Sequence, residues 1–117
     1  VAALKARNMV GIPVSGQDGD KAALNRVARG EQTVSVWKDS RELGKVAGEM
    51  AAGLIAKKPL KTTIFKDGSK HIPQPAILLA PIPITKANLQ TVIDAKWITK
   101  DEVCAGVDKV KAPAACK

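Results

Sequence analysis

Aromatic residues are scarce in this 117-residue chain, which has no tyrosine, one phenylalanine and two tryptophans. Aliphatic side chains must therefore form most of its core, and few rings are available on which single-stranded bases could stack. Long apolar runs are missing as well, because the longest one, Ala76–Ala80, ends at Pro81. A membrane-spanning helix needs about 18 or more apolar residues, so the sequence predicts no membrane span.

Histidine and cysteine are also scarce: the chain has one histidine, His71, and two cysteines, Cys104 and Cys116. Their spacing fits no zinc pattern, and one histidine with two cysteines cannot complete a four-ligand site, so no metal site is predicted. The two cysteines could be reduced thiols of a cytosolic protein or one disulfide of a periplasmic or secreted protein. Their spacing alone leaves both interpretations open.

Positive charge is abundant, with a formal net charge of +8. The basic residues are spread along the whole chain, however, and only Lys57 and Lys58 are adjacent. Because no basic arm or stripe results, a solvated surface explains this charge better than a nucleic-acid interface. We expect no nucleic-acid partner.

Helix and strand patterns alternate in the first half of the sequence. They predict the end of a helix, a short buried strand, a helix closed by Gly30, an alternating strand and a long helix, at residues 2–9, 12–15, 20–29, 33–37 and 39–57. This alternation favours the α/β class, with a parallel sheet and crossover helices.

The long helix has the clearest signals. Asp39 and Glu42 have the spacing of a capping box at its start. Apolar residues then recur every three or four positions, at Leu43, Val46, Ala47, Met50, Leu54 and Ile55. Such a stripe requires a partner surface.

The alternation of strand and helix patterns ends in the second half of the sequence. Residues 62–65 and 71–72 flank a glycine-containing loop and predict a hairpin. Residues 76–84 are extended, but two prolines place them at a sheet edge or in a crossing between lobes. A helix from Thr85 to about Ala95, a capping box of Thr99 and Glu102, and a tail at 106–117 follow.

Two charged residues stand at predicted strand ends. Gln17 and Asp18 follow the first strand, after Gly16, which is expected to turn the backbone; Lys38 follows Trp37 at the end of the second strand. Ligands of open parallel sheets bind at the carboxyl ends of strands. An acid and an ammonium facing one cleft suit a neutral polyhydroxyl ligand, and the alternative is a surface ion pair of little energetic value.

Other chemistries fail on their required residues. An EF-hand that starts at Asp18 would need an oxygen ligand and a glycine where Ala22 and Ala23 stand. Asp20 is explained as a helix cap, which leaves no carboxylate pair for glycoside hydrolysis. No phosphate-binding loop and no G-x-S-x-G nucleophile elbow occurs. We therefore expect no catalytic activity and no cofactor.

The segments PVSGQDGDKAALNRVARGEQTVSVWKDSRELGKVAGEMA and ILLAPIPITKANLQTVIDAKWITKDEVCAGV resemble the C-terminal part of type I periplasmic sugar-binding proteins. These proteins serve ABC importers, and among them the chain is most similar to the D-xylose-binding proteins. The resemblance implies a two-lobed protein that closes on one sugar. Carried over to this chain, it implies that Asp18 and Lys38 hydrogen-bond sugar hydroxyls, with Gln17 a weaker candidate that orients Asp18. Trp37 could stack on the sugar, but core packing is the better interpretation.

The resemblance also implies a domain organisation. Residues 1–37 would form βα units of the C-terminal lobe, 38–75 would belong to the N-terminal lobe, and 76–117 would form the return crossing, closing helices and tail. The fold would be an incomplete three-layer lobe built on a parallel sheet. Cys104 and Cys116 would form a periplasmic disulfide. The implied partners are a monosaccharide such as D-xylose, the importer's membrane subunits and a missing N-terminal portion; the alternative is a self-associating fragment that binds no sugar.

Overall fold

A computed structural model describes residues 1–66 and 73–117. The elements of these residues are, in chain order, α1 (Ala2–Ala6), β1 (Ser15–Gln17), α2 (Lys21–Arg29), β2 (Val34–Trp37), α3 (Ser40–Ile55), β3 (Thr63–Phe65), β4 (Gln74–Ala76), β5 (Ile82–Ile84), α4 (Gln90–Asp94) and α5 (Lys100–Cys104), followed by short 3-10 helices at Lys109–Lys111 and Ala114–Cys116. None of the helices in the described ranges is long and apolar enough to cross a membrane. The chain divides into two compact units, one of residues 1–38 and 81–117 and one of residues 39–80.

The first unit contains a three-stranded sheet in the order β1-β2-β5. β1 and β2 run parallel, with Ser15 opposite Val34, and β5 runs antiparallel to β2, with Ile84 opposite Ser35. The parallel pair and the helix α2 between its strands confirm the predicted α/β class. β5 carries Pro83 at the edge of this sheet, where a missing backbone N–H breaks no inner ladder.

Helix α2 has the ends that its sequence predicts. The Asp20 side chain accepts a hydrogen bond from the backbone N–H of Ala23 at 2.9 Å, and Gly30 closes the helix in the left-handed conformation at φ 79°. One face, formed by Ala23, Leu24, Val27 and Ala28, is buried. Because polar residues occupy the other face, burial of this stripe determines how α2 lies on the unit's core.

The core of the first unit is mainly aliphatic, as the low aromatic content requires. Its buried members are Leu24, Val27, Ala28, Trp37, Ile84, Leu89, Val92, Ile98, Val103 and Ala115. Residues from both ends of the chain meet in this cluster. The C-terminal helices therefore stabilise the same sheet whose strand ends carry Asp18 and Lys38.

The C-terminal segment is fastened to α2 by polar contacts. Thr99 and Glu102 form the predicted capping box of α5, and Lys21 forms an ion pair with Glu102 at 2.6 Å. The Asn25 amide donates hydrogen bonds of 2.9 and 2.8 Å to the carbonyls of Val103 and Ala105. These bonds satisfy carbonyls at the C-terminal end of α5, which has no internal partners for them.

A disulfide between Cys104 and Cys116 closes the C-terminal tail, with the two Cα atoms 5.5 Å apart. It holds the 3-10 turn that contains Ala115 next to α5, and Ala115 lies in the core cluster. The tail is therefore part of the packed unit.

Several predicted element boundaries are wrong, among them the end of the first helix, which lies at Ala6 instead of residue 9. The first strand begins at Ser15 rather than at residue 12, because the bonds to the second strand start at Val14, whose carbonyl accepts from the N–H of Thr33 at 2.9 Å. The helix predicted from Thr85 begins only at Gln90. There the Asn88 side chain accepts from the Thr85 N–H at 2.8 Å and donates to the carbonyl of Pro83 at 3.0 Å, which stabilises a turn instead.

The second unit consists of α3 and the antiparallel pair β3–β4, with Thr63 opposite Ala76. The predicted hairpin is therefore present, although its second strand lies at Gln74–Ala76 and the predicted 71–72, with His71, falls outside the described residues. Asp39 caps α3 but bonds to the backbone and guanidinium of Arg41 instead of forming the predicted box with Glu42. None of the residues of α3 is buried.

Candidate functional site

The structure brings Asp18 and Lys38 together. Asp18 directly follows β1 and Lys38 directly follows β2, so the parallel pairing of these strands places both side chains at the same edge of the sheet. The Lys38 ammonium lies 3.0 Å from a carboxylate oxygen of Asp18. The Asp18 side chain is 70% exposed and that of Lys38 is 41% exposed, so both can reach a ligand from solvent.

The ion pair alone contributes little to folding. Exposed pairs of this kind are worth about 0–1 kcal/mol, because solvent screens the charges and both side chains lose rotamer freedom. A stabilising role would therefore not require these two residues at these strand ends. The alternative is that they interact with a ligand.

The backbone at Asp18 is unusual. Asp18 has φ 74° and Gly19 has φ 68°, so two successive residues adopt the left-handed region. For a non-glycine residue such a conformation costs of the order of 1–3 kcal/mol and persists only where the surroundings enforce it. The N–H of Asp18 still donates to the Val36 carbonyl at 2.7 Å, which continues the β1–β2 ladder through the turn.

The prediction that Gly16 turns the backbone is wrong, because Gly16 lies within β1 and the turn is made by Asp18 and Gly19. Gly16 instead makes room for the Gln32 side chain, which would collide with a Cβ at that position. Gln32 is 6% exposed, donates to the carbonyl of Val34 at 3.0 Å and accepts from Arg26 at 3.1 Å. Gly16 thus allows a buried amide to close over β1.

Three side chains surround Gly19, and sequence reasoning identified none of these contacts. The Gly19 N–H donates to the Ser35 hydroxyl at 3.2 Å, and the Trp97 indole N–H donates to the Gly19 carbonyl at 2.7 Å. A Cβ on Gly19 would lie 2.7 Å from Cδ1 of Trp37. Side chains of β2 and of the loop between α4 and α5 therefore hold Asp18 and Gly19 in the left-handed conformation.

Trp37 packs in the core, in agreement with the interpretation preferred from the sequence. It is 5% exposed, and its ring centroid lies 5.7 Å from that of Trp97 at an interplanar angle of 56°. A ring so deeply buried has no free face for a sugar. Trp37 therefore packs against the turn at Gly19 instead of contacting a ligand.

Gln17 is the last residue of β1, is exposed and lies opposite Val36 in the ladder. Among the described residues, no hydrogen bond joins its side chain to Asp18. A role of Gln17 in orienting Asp18 stays a prediction.

Further ion pairs lie elsewhere in the first unit. Lys5 and Arg29 lie 2.6 and 2.7 Å from Glu31, and the Lys5 hydrogen bond is the main reason why the pKa of Glu31 is lowered. The Lys21 hydrogen bond, helped by those from Thr99, lowers the pKa of Glu102 to about 2. Within residues 1–66 and 73–117, no cluster of three or more His, Cys, Asp or Glu side chains could hold a metal ion.

Comparison with known proteins gives consistent results. The chain is 35% identical over 106 residues to the D-xylose-binding periplasmic protein of Haemophilus influenzae, covering 88% of this chain and 31% of that protein. It is 30% identical over 90 residues to the multiple sugar-binding periplasmic protein SbpA of Azospirillum brasilense, covering 74% and 25%. No family model matches the chain.

A solved structure supports the same relationship. The carbohydrate transporter solute-binding protein of Chloroflexus aurantiacus, in complex with D-glucose, superimposes with a TM-score of 0.67 at 27% sequence identity, over 76% of this chain and 26% of that chain. Sequence and fold thus point to one class, the solute-binding proteins of carbohydrate transport. The chain belongs to the periplasmic sugar-binding proteins, and its relatives include proteins named for D-xylose. It spans about a quarter to a third of the length of the curated relatives it matches.

Proposed function

We propose that this chain is part of the sugar-binding component of an ABC importer and that Asp18 and Lys38 contact a xylose-like monosaccharide. The observation that carries the proposal is the exposed carboxylate–ammonium pair, 3.0 Å apart, on a strained turn at the carboxyl end of a parallel strand pair. The names of the relatives, which include D-xylose-binding and multiple sugar-binding proteins, support the choice of ligand class.

The pair suits a neutral sugar because the two groups offer complementary hydrogen bonds. The Asp18 carboxylate can accept from two adjacent hydroxyl groups, and the Lys38 ammonium can donate to a hydroxyl or ring oxygen. Bonds to charged partners are stronger than neutral ones, so each contributes more affinity than a hydroxyl–amide contact would. The ion pair also holds both side chains near a binding geometry before the sugar arrives, which reduces the entropy lost on binding.

The proposal includes the rest of a longer protein. Because the chain aligns with only 31% of its relative from H. influenzae, we propose that it acts as the C-terminal part of a two-lobed protein, with an N-terminal portion that supplies further sugar contacts. Importer membrane subunits would receive the sugar from it. In this proposal the protein binds and releases sugar unchanged and is not an enzyme.

We place this function in the periplasm. The relatives are described as periplasmic, and the disulfide between Cys104 and Cys116 fits an oxidising compartment. Reducing compartments rarely preserve such bonds.

Isothermal titration calorimetry of the full-length protein with D-xylose and D-glucose tests the site. Asp18→Asn is the informative variant, because asparagine tolerates a left-handed φ and removes only the charge. Lys38→Met removes the second partner, and Asp94→Asn, at an exposed position of α4, serves as a matched control. We expect Asp18→Asn and Lys38→Met each to weaken binding at least tenfold, while the control binds like the wild type; unaltered affinity in Asp18→Asn would sink the assignment.

A second candidate function rests on the exposed apolar residues of α3. Leu43, Leu54 and Ile55 are 47%, 66% and 85% exposed, and apolar side chains in such numbers on one helix often mark an association surface. In this alternative, the 117-residue chain associates with itself and binds no sugar. Native mass spectrometry with and without D-xylose separates the two: homo-oligomers without bound sugar favour the alternative, and a one-sugar adduct with a longer chain or an N-terminal partner favours the importer.

A further inference from the structure

We infer that Trp97, together with Ser35, is a positioning residue that holds the Asp18 carboxylate in its sugar-binding orientation; this inference rests on the proposed function of Asp18. The two side chains fix the Gly19 residue from both sides. Ser35 accepts from its N–H at 3.2 Å, and the Trp97 indole donates to its carbonyl at 2.7 Å. Neither residue directly follows a strand that carries the charged pair: Ser35 lies within β2 and Trp97 lies between α4 and α5.

The need for such positioning follows from the backbone. With φ values of 74° and 68° at Asp18 and Gly19, the turn occupies a region that glycine visits freely and aspartate only at a cost. A free chain would leave this conformation for the extended or right-handed regions, and the Asp18 carboxylate would rotate away from Lys38. Bonds to both polar groups of Gly19 therefore select the conformation in which the 3.0 Å pair forms.

The positions of the acceptor Ser35 and the donor Trp97 make the effect specific. Ser35 is fully buried on β2, so water cannot replace the Gly19 N–H as the partner of its hydroxyl. Trp97 reaches Gly19 from 78 residues further along the chain. Its own backbone N–H donates to the Val92 carbonyl at 3.0 Å, in the turn where Lys96 has φ 54°. A fixed loop thus presents the indole N–H, and the orientation of Asp18 depends on the C-terminal packing of the unit.

This coupling predicts a loss of sugar affinity in variants that substitute neither Asp18 nor Lys38. Trp97→Phe retains a ring packed against the core but removes the donor to Gly19, and Ser35→Ala removes the acceptor. Loss of one hydrogen bond typically changes an equilibrium constant about fivefold, so each variant should weaken D-xylose binding about fivefold to tenfold. Val103→Ala is the control, because Val103 is fully buried in α5 and its truncation destabilises the same core without contacting the turn.

The experiment is titration calorimetry of the full-length protein combined with hydrogen exchange and the ¹H–¹⁵N signal of the Gly19 amide. A purely structural role would lower stability in all three variants but would leave affinity and the Gly19 signal as in Val103→Ala. We expect Trp97→Phe and Ser35→Ala to lose affinity and to exchange the Gly19 amide faster than the control. A folded Trp97→Phe protein that binds sugar as tightly as Val103→Ala overturns the inference.

Two further results keep the test decisive. Should Trp97→Phe fail to fold, Ser35→Ala decides by the same criterion, since it removes a single hydroxyl oxygen. Asp18→Asn separates this inference from the proposed function. If Asp18→Asn loses sugar binding while Trp97→Phe and Ser35→Ala retain it, the positioning role is wrong and the site stands. If Asp18→Asn retains binding, the site itself is wrong.

Discussion

Alanine at position 19 should destabilise the protein more than alanine at another left-handed glycine. Gly19 and Gly106 have nearly the same φ, 68° and 67°, so a left-handed alanine carries the same backbone cost of about 1–2 kcal/mol at both positions. The restriction of the unfolded chain by alanine is also common to both and cancels in the comparison. Gly106→Ala is therefore a matched control for Gly19→Ala.

The surroundings of the added methyl group differ sharply. At Gly106 no atom lies within 4 Å of the Cβ position, whereas at Gly19 the Trp37 atoms Cδ1, Cβ and Cγ lie at 2.7, 3.1 and 3.1 Å. Trp37 is 5% exposed and packed on Trp97, so it cannot move away freely. Overpacking of this kind costs about 1–3 kcal/mol, which gives a total of about 2–5 kcal/mol for Gly19→Ala.

Urea denaturation of both variants, followed by circular dichroism, measures the difference. We expect Gly19→Ala to lower the free energy of unfolding by about 1–3 kcal/mol more than Gly106→Ala does. Equal losses in the two variants would refute the reasoning, because they would mean that the Trp37 ring does not confine the turn.

Two other predictions concern the scaffold. Hydrogen bonds from Lys21 and Thr99 lower the pKa of Glu102 from its usual 4.5 to about 2, so these interactions stabilise the fold above pH 4.5 and are lost as pH falls toward 2. Glu102→Gln should flatten the loss of stability in that window in pH-dependent denaturation, and an unchanged acid profile would contradict the ion pair. The double variant Cys104→Ser/Cys116→Ser should lower the free energy of unfolding by about 2–4 kcal/mol, because it frees a short loop in the unfolded chain; thermal denaturation with and without reductant checks this, and reductant should shift only the wild type.

Local signals in the sequence predicted several of the helix ends. Asp20, Gly30 and the pair Thr99–Glu102 all have the predicted roles, because a cap depends on residues within one turn of each other. The wrong prediction at Thr85 also has a local cause. The side chain of Asn88, three residues away, accepts a hydrogen bond from the Thr85 backbone N–H and favours a turn over a helix.

The charged pair was accessible to prediction for a topological reason. Parallel neighbouring strands bring their carboxyl ends to one edge, so a residue after each strand suffices to place Asp18 next to Lys38. The left-handed turn and its supports were not accessible, because they depend on contacts over long sequence separations. Trp97 approaches Gly19 from 78 residues away, and no periodicity or motif marks such a contact.

A crystal structure of the full-length protein with bound D-xylose would test the proposed sugar contacts of Asp18 and Lys38 most directly. We expect two sugar hydroxyls within hydrogen-bond distance of the Asp18 carboxylate, a sugar oxygen next to the Lys38 ammonium, and the same left-handed turn at Asp18 and Gly19. A sugar that binds away from both side chains would contradict the central claim that this pair is the ligand-binding site.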